Sequence, residues 1–122
     1  MSTYLNYKIE GQGQPIVLIH GLFGNLDNLG LLVRNLKEDH QVISLDLRNH
    51  GLSFHDEEHN YAVMAQDVAR TLKSIGAESA TIIGHSMGGK VAMKLTEVSP
   101  NLVLRLIVLD MAPVAYLSLI HI

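Results

Sequence analysis

Four short apolar runs recur along this chain, and between them lie stretches with the period of a helix. The runs are Pro15-Ile-Val-Leu-Ile-His20, Gln41 to Leu47, Ala80-Thr-Ile-Ile-Gly84 and Leu104 to Leu109. A strand with one solvated face would alternate apolar and polar residues. Continuous runs such as those at 15–20 and 80–84 mark strands covered on both faces. The first intervening stretch, Leu26 to Leu36, places Leu29, Leu32, Val33 and Leu36 on one helical face. The second starts after Asn60, a capping residue type, and carries Ala65, Val68, Ala69, Leu72 and Ile75 on one stripe before Gly76 closes it. The third, Met87 to Ser99, turns Val91, Ala92, Leu95 and Val98 inward and stops at Pro100. Tyr4 to Glu10 alternates weakly and is expected to open the sheet. Arg48 to Asn60 is polar and reads as a loop. The alternation β-α-β-α-β-α-β predicts an α/β fold, a mostly parallel sheet with helices on both faces. In such sheets ligands bind beyond the carboxyl ends of the strands. His20-Gly21, Asp46, Ser86 and Asp110 stand at those ends.

A chain of 122 residues holds one domain. Apolar residues make up 48% of it and charged residues 17%, with a net charge of −3. That is a globular composition, without the basic footprint of a nucleic-acid or membrane-surface binder. Cysteine is absent, which excludes disulfides, thiolate metal sites and a cysteine nucleophile. Residues 1–10 have no apolar core of a secretory signal, and no run approaches a membrane span. The expected location is the cytoplasm.

Gly84-His85-Ser86-Met87-Gly88 is a G-x-S-x-G motif set between an expected strand and an expected helix. The chemistry requires a sharp turn that lifts a serine hydroxyl above the sheet. A Cβ at Gly84 or Gly88 would collide with neighbouring chain. The helix start places N–H groups and a positive dipole end where an oxyanion would develop. A competing reading is a P-loop, because Gly84-x-x-x-x-Gly89-Lys90 matches most of that motif. It fails at Val91, which cannot ligand magnesium. After the first apolar run comes His20-Gly21-Leu22-Phe23-Gly24, a glycine-rich loop able to bring a backbone N–H beside the serine.

The order His20-Gly21…Gly24, Asp46-Leu-Arg48-Asn-His50-Gly-Leu-Ser53, Gly84-His-Ser86-Met-Gly-Gly89 resembles the α/β-hydrolase superfamily. It looks most like the YbfF-type esterases, which share HGLFG, RNHG and GHSMGG. The resemblance runs from Pro15 to Tyr116. Most relatives read R-G-H-G where this chain has Arg48-Asn49-His50-Gly51, a departure that favours the YbfF-like branch. The resemblance implies that Ser86 attacks an ester carbonyl and that the N–H groups of Leu22 and Met87 hold the oxyanion. His20, Gly21, Gly84, His85 and Gly88 support these motifs. It implies a small-molecule ester or thioester substrate, no cofactor and no metal, and leaves the oligomeric state open. Thioester hydrolysis, acyl transfer and a non-catalytic binding role on the same fold are the alternatives.

A serine triad in this fold runs Ser, acid, His along the chain. Asp110 is the carboxylate at a strand end after Ser86 and is the expected acid, on a strand adjacent to that of Ser86; a later strand is the other possibility. The base should fall near the end of a domain of roughly 250 residues. The histidine after Ser86 in this chain is His121, with no strand before it. His20 and His50 are expected to make structural hydrogen bonds. His55 and His59 have the spacing of a zinc pair but lack the second-position Glu and a third ligand, so a solvated loop is expected. Residues 1–116 read as the N-terminal part of one hydrolase domain. Leu117 to Ile122 reads as a non-native tail: it matches an in-frame translation of CTGTCTCTTATACACATC, which resembles a transposon end. This chain alone is accordingly expected to lack activity and to leave the Asp110 strand as an apolar edge.

Overall fold

The computed structural model describes residues 4–21, 24–25 and 29–109. The elements are β1 (Tyr7–Glu10), β2 (Gln14–Ile19), α1 (Gly30–Leu36), β3 (His40–Leu45), α2 (Tyr61–Ser74), β4 (Ala80–His85), α3 (Met87–Val98) and β5 (Val103–Leu109), with a 3₁₀ turn at Pro100–Leu102. The strands form one sheet in the order β1-β3-β2-β4-β5. The pairs β2–β3, β2–β4 and β4–β5 are parallel, and β1 runs antiparallel to β3. The expected α/β architecture is therefore present, with the strands preceding Ser86 and Asp110 side by side.

The continuous apolar runs are explained by two cores, one on each face of the sheet. Val17, Ile19, Ile43, Leu45 and Ile82 pack with Met64, Val68 and Leu72 of α2 and Val91, Ala92 and Leu95 of α3. Ile16, Leu18, Val42 and Ile83 face the other way, against Leu29, Leu32 and Val33. Successive residues of one strand thus serve opposite cores, and a polar residue at either position would be buried. Among the described residues no helix is long and apolar enough to cross a membrane.

Several element ends differ from expectation for local reasons. β1 begins at Tyr7, because the N–H groups before it bond elsewhere: Leu5 N–H donates to Thr71 Oγ1 and Asn6 N–H to Ser53 Oγ. Helix α1 starts at Gly30, with Leu29 buried just before it. Asn60 caps α2 as expected, its Oδ1 accepting the Val63 N–H at 2.9 Å. Val98, expected inward, is 41% exposed; it is the last residue of α3, and the buried face of that helix ends at Leu95. β5 is an edge strand among the described residues, with Leu104, Leu106, Ile107 and Val108 exposed. Such an edge is a template for pairing with other chains.

The parallel strands bring His20-Gly21, Asp46 and Ser86 to one edge of the sheet. Helix α3 approaches that edge closely enough that a Cβ on Gly88 would overlap the Ile19 carbonyl oxygen, and one on Gly84 the Gly88 carbonyl oxygen. Both obstacles are backbone and cannot rotate away. Gly88→Ala should cost about 3 kcal/mol or more, read as a lowered denaturant midpoint with an unchanged slope. A variant as stable as the parent would contradict the packing described.

Candidate active site

Strand β4 ends at His85 and α3 begins at Met87, leaving Ser86 alone to make the turn. It does so at φ 56, ψ −115, a backbone region that L-residues avoid. Three hydrogen bonds hold it there. Ser86 N–H donates to Leu109 O at 2.9 Å, and Ser86 O accepts from Gly89 N–H at 2.9 Å and Lys90 N–H at 3.3 Å. The side chain is left exposed, in a cleft of about 580 Å³ lined by His59, Asn60, Tyr61, Ser86, Met87 and Lys90. Met87 contributes the first N–H of α3, one with no acceptor inside the helix. Gly21 lies alongside: a Cβ there would sit 3.4 Å from Ser86 Cβ. The strand end carrying His20-Gly21 and the serine turn are thus brought together. Leu22 and Asp110 lie outside the described residues, as does His121.

His20 is 1% exposed and has a partner on each ring nitrogen. Nδ1 lies 2.7 Å from Gly21 O, which only accepts, so Nδ1 carries the hydrogen. Nε2 lies 3.0 Å from Leu47 N, which only donates, so Nε2 is bare. This neutral tautomer ties the loop after β2 to the chain leaving β3. Burial pushes the His20 pKa below its ordinary value, opposed by the bond to Gly21 and assisted by nearby His50. His50 follows the same structural pattern, with Nδ1 at 2.9 Å from Arg48 O. His85, half-buried beside the serine, sits against Gly21.

The loop after β3 is organised by two buried charges. Asp46 carboxylate accepts from Leu52 N–H at 3.0 Å and Asn6 Nδ2 at 2.8 Å. Arg48 reaches across to α2, where its Nε and Nη2 donate to the two oxygens of Asp67 at 2.6 and 2.9 Å. Its Nη1 donates to Glu58 O at 2.8 Å, and its guanidinium lies 5.2 Å from the Phe54 ring centre. Hydrogen bonding to Asp67 raises the Arg48 pKa further. Asp67 is fully buried; removing one partner of such a pair costs about 3–5 kcal/mol. Asp67 sits on the apolar face of α2 between Met64 and Val68, a breach in the stripe that could have signalled a buried partner.

His59 stands in the exposed loop expected for it, and there it also lines the serine cleft. Its Nδ1 is 2.8 Å from Asn49 Nδ2. Among the described residues no group of three or more His, Cys, Asp or Glu is placed to hold a metal.

The chain belongs to the α/β-hydrolase fold family, whose family model matches residues 14–118. It is 54% identical over 107 residues to the Escherichia coli protein named Esterase YbfF, an alignment covering 88% of this chain and 42% of that protein. It is 42% identical over 115 residues to the Xenopus tropicalis protein named sn-1-specific diacylglycerol lipase ABHD11, covering 93% of this chain and 36% of that protein. Among solved structures, one described as a marine microorganism esterase superposes with a TM-score of 0.86 at 44% identity, covering 92% of this chain and 43% of that one. The chain therefore spans about two fifths of the length of these relatives.

The His20 environment gives a pH dependence. The unfolded chain takes up a proton on His20 near the ordinary 6.5, and the folded chain only at lower pH. Below 6.5 the unfolded state binds more protons, so stability falls as pH drops from there toward the folded value and is fully present above 6.5. The fall in Tm between about pH 7.5 and pH 5 should be shallower in His20→Gln. An unchanged slope would show that His20 is not held neutral.

Proposed function

We propose that the whole protein is a serine hydrolase that cleaves carboxylic esters through an acyl-Ser86 intermediate. The observation that carries this reading is the Ser86 turn: an exposed hydroxyl at φ 56, at the head of α3 and beside Gly21. The esterase and lipase names of the relatives support the same class.

On this reading Ser86 Oγ attacks the ester carbonyl carbon and its proton passes to a histidine. The carbonyl oxygen becomes an oxyanion, which accepts hydrogen bonds from the N–H groups of Met87 and Leu22. Each such donor contributes on the order of 3 kcal/mol of transition-state stabilisation. The α3 dipole adds to it, because Ser86 stands at the helix N-terminus. Collapse expels the alcohol, protonated by the same histidine, and leaves the acyl group on Ser86. Water then repeats the sequence and releases the acid. Asp110 is the acid of the triad: it directly follows Leu109, whose carbonyl oxygen accepts the Ser86 N–H. The histidine is the one that the family resemblance implies after the acid in chain order. His20 is unsuited to that role, since its two ring nitrogens are committed to Gly21 and Leu47.

In the whole protein, Ser86→Ala should lower kcat/KM for p-nitrophenyl acetate by about 10⁴-fold or more and leave Tm within about 3 °C of the parent. Asp110→Asn should lower kcat by orders of magnitude. A Ser86→Ala enzyme that kept most of its turnover would refute the mechanism, and a loss of only a few-fold in Asp110→Asn would place the acid elsewhere.

A further inference from the structure

Asn49 occupies a left-handed backbone position at φ 67, where a Cβ is disfavoured and glycine is the least strained residue. Its backbone N–H closes the loop by donating to Phe54 O at 2.8 Å, a bond that glycine would make equally well. The side chain makes two contacts that glycine cannot. Oδ1 accepts the Asp56 N–H at 2.8 Å, which fixes which way the amide faces, because a backbone N–H requires an acceptor. Nδ2 then points to His59 Nδ1 at 2.8 Å and donates to it. An accepting Nδ1 leaves the neutral ring with its hydrogen on Nε2.

His59 is held from other directions too. Its ring centre is 6.2 Å from that of His50, which in turn is 5.1 Å from His20. The peptide before it is anchored where Arg48 Nη1 donates to Glu58 O at 2.8 Å. The residue after it, Asn60, caps α2. The ring so fixed lines the Ser86 cleft, together with Tyr61 and Lys90. Its Nε2–H has no protein acceptor among the described residues.

We propose that Asn49 is a positioning residue: it holds His59 as an Nε2–H donor on the wall of the Ser86 cleft, where His59 binds an oxygen of the ester beyond the scissile carbonyl. The proposal rests on Ser86 as the attacking group. It accounts for a strained asparagine at a position that backbone geometry alone would give to glycine. It also names a substrate class, esters bearing an ether, hydroxyl or carbonyl oxygen on the acyl or the alcohol side.

The test compares the whole protein with Asn49→Gly, His59→Phe and the double variant, on two pairs of esters that differ by an oxygen in place of a methylene. The acyl pair is p-nitrophenyl methoxyacetate and p-nitrophenyl butyrate. The alcohol pair is 2-methoxyethyl acetate and butyl acetate. In one of the pairs the preference for the oxygen-bearing ester, as a ratio of kcat/KM values, should fall about fivefold in His59→Phe and by a smaller factor in Asn49→Gly, through KM. That is the loss of one hydrogen bond. The double variant should lose no more than His59→Phe alone. The responding pair locates the oxygen on the acyl or the alcohol side. Separately, imidazole ¹⁵N shifts at about pH 8.5 should show His59 as the Nε2–H tautomer in the parent and as a tautomer mixture in Asn49→Gly. Unchanged ratios in both pairs, additive losses, or a His59 tautomer indifferent to Asn49 would each overturn the proposal. The tautomer measurement stands apart from turnover, so failure of the Ser86 mechanism would be seen in Ser86→Ala and not mistaken for failure here.

Discussion

The close approach of helix α3 to the carboxyl edge of the sheet is the constraint on which the rest depends. Gly88 packs on the backbone of Ile19 and His20, and Gly84 on the backbone of Gly88 and Gly89. Backbone on backbone leaves no room for side chains, so the chain must turn from strand to helix in one residue. That residue takes the strain, at φ 56. The same approach sets Ser86 beside Gly21 and gives its hydroxyl the mouth of α3. The strain persists because three hydrogen bonds and two buried cores over-determine the surroundings.

Around this turn the loops are tied down by groups that carry or refuse charge. His20 stays neutral because each of its nitrogens is already committed, and through it His20-Gly21 is tied to Leu47. Arg48 does the opposite, keeping its charge in a nearly buried setting because Asp67 presents a matched pair of oxygens. The guanidinium then gathers Phe54 and Glu58 O, and so fixes the approach to His59 and the start of α2. The cleft at Ser86 is therefore walled on one side by a loop anchored in the core.

Much of this was legible in the sequence, because strand burial on two faces writes itself as continuous apolar runs. Asn60, Gly76 and Pro100 marked helix ends by mechanisms that hold in the structure. The pattern Gly84-x-Ser86-x-Gly88 announced the turn, and its glycines sit where a Cβ has no space. Other features carried no local signal. The Arg48–Asp67 pair joins residues on different elements, and periodicity records only that Asp67 interrupts an apolar stripe. Asn49, where most relatives have glycine, hinted at a left-handed backbone position, but nothing local announced its contact with His59. Val98 has the spacing of a core residue, yet it lies one turn past the last buried residue of its helix. The start of β1 was set by side-chain partners, which spacing does not encode.

In the proposed mechanism Ser86 carries the acyl group. This is tested most directly by stopping the whole protein in acid milliseconds after mixing with p-nitrophenyl butyrate and measuring intact mass. Acylation of Ser86 gives a fraction heavier by one butyryl group, located by peptide fragmentation on Ser86 and absent from Ser86→Ala. A burst of p-nitrophenol with no butyryl group on Ser86, or a butyryl group on another residue, would contradict it.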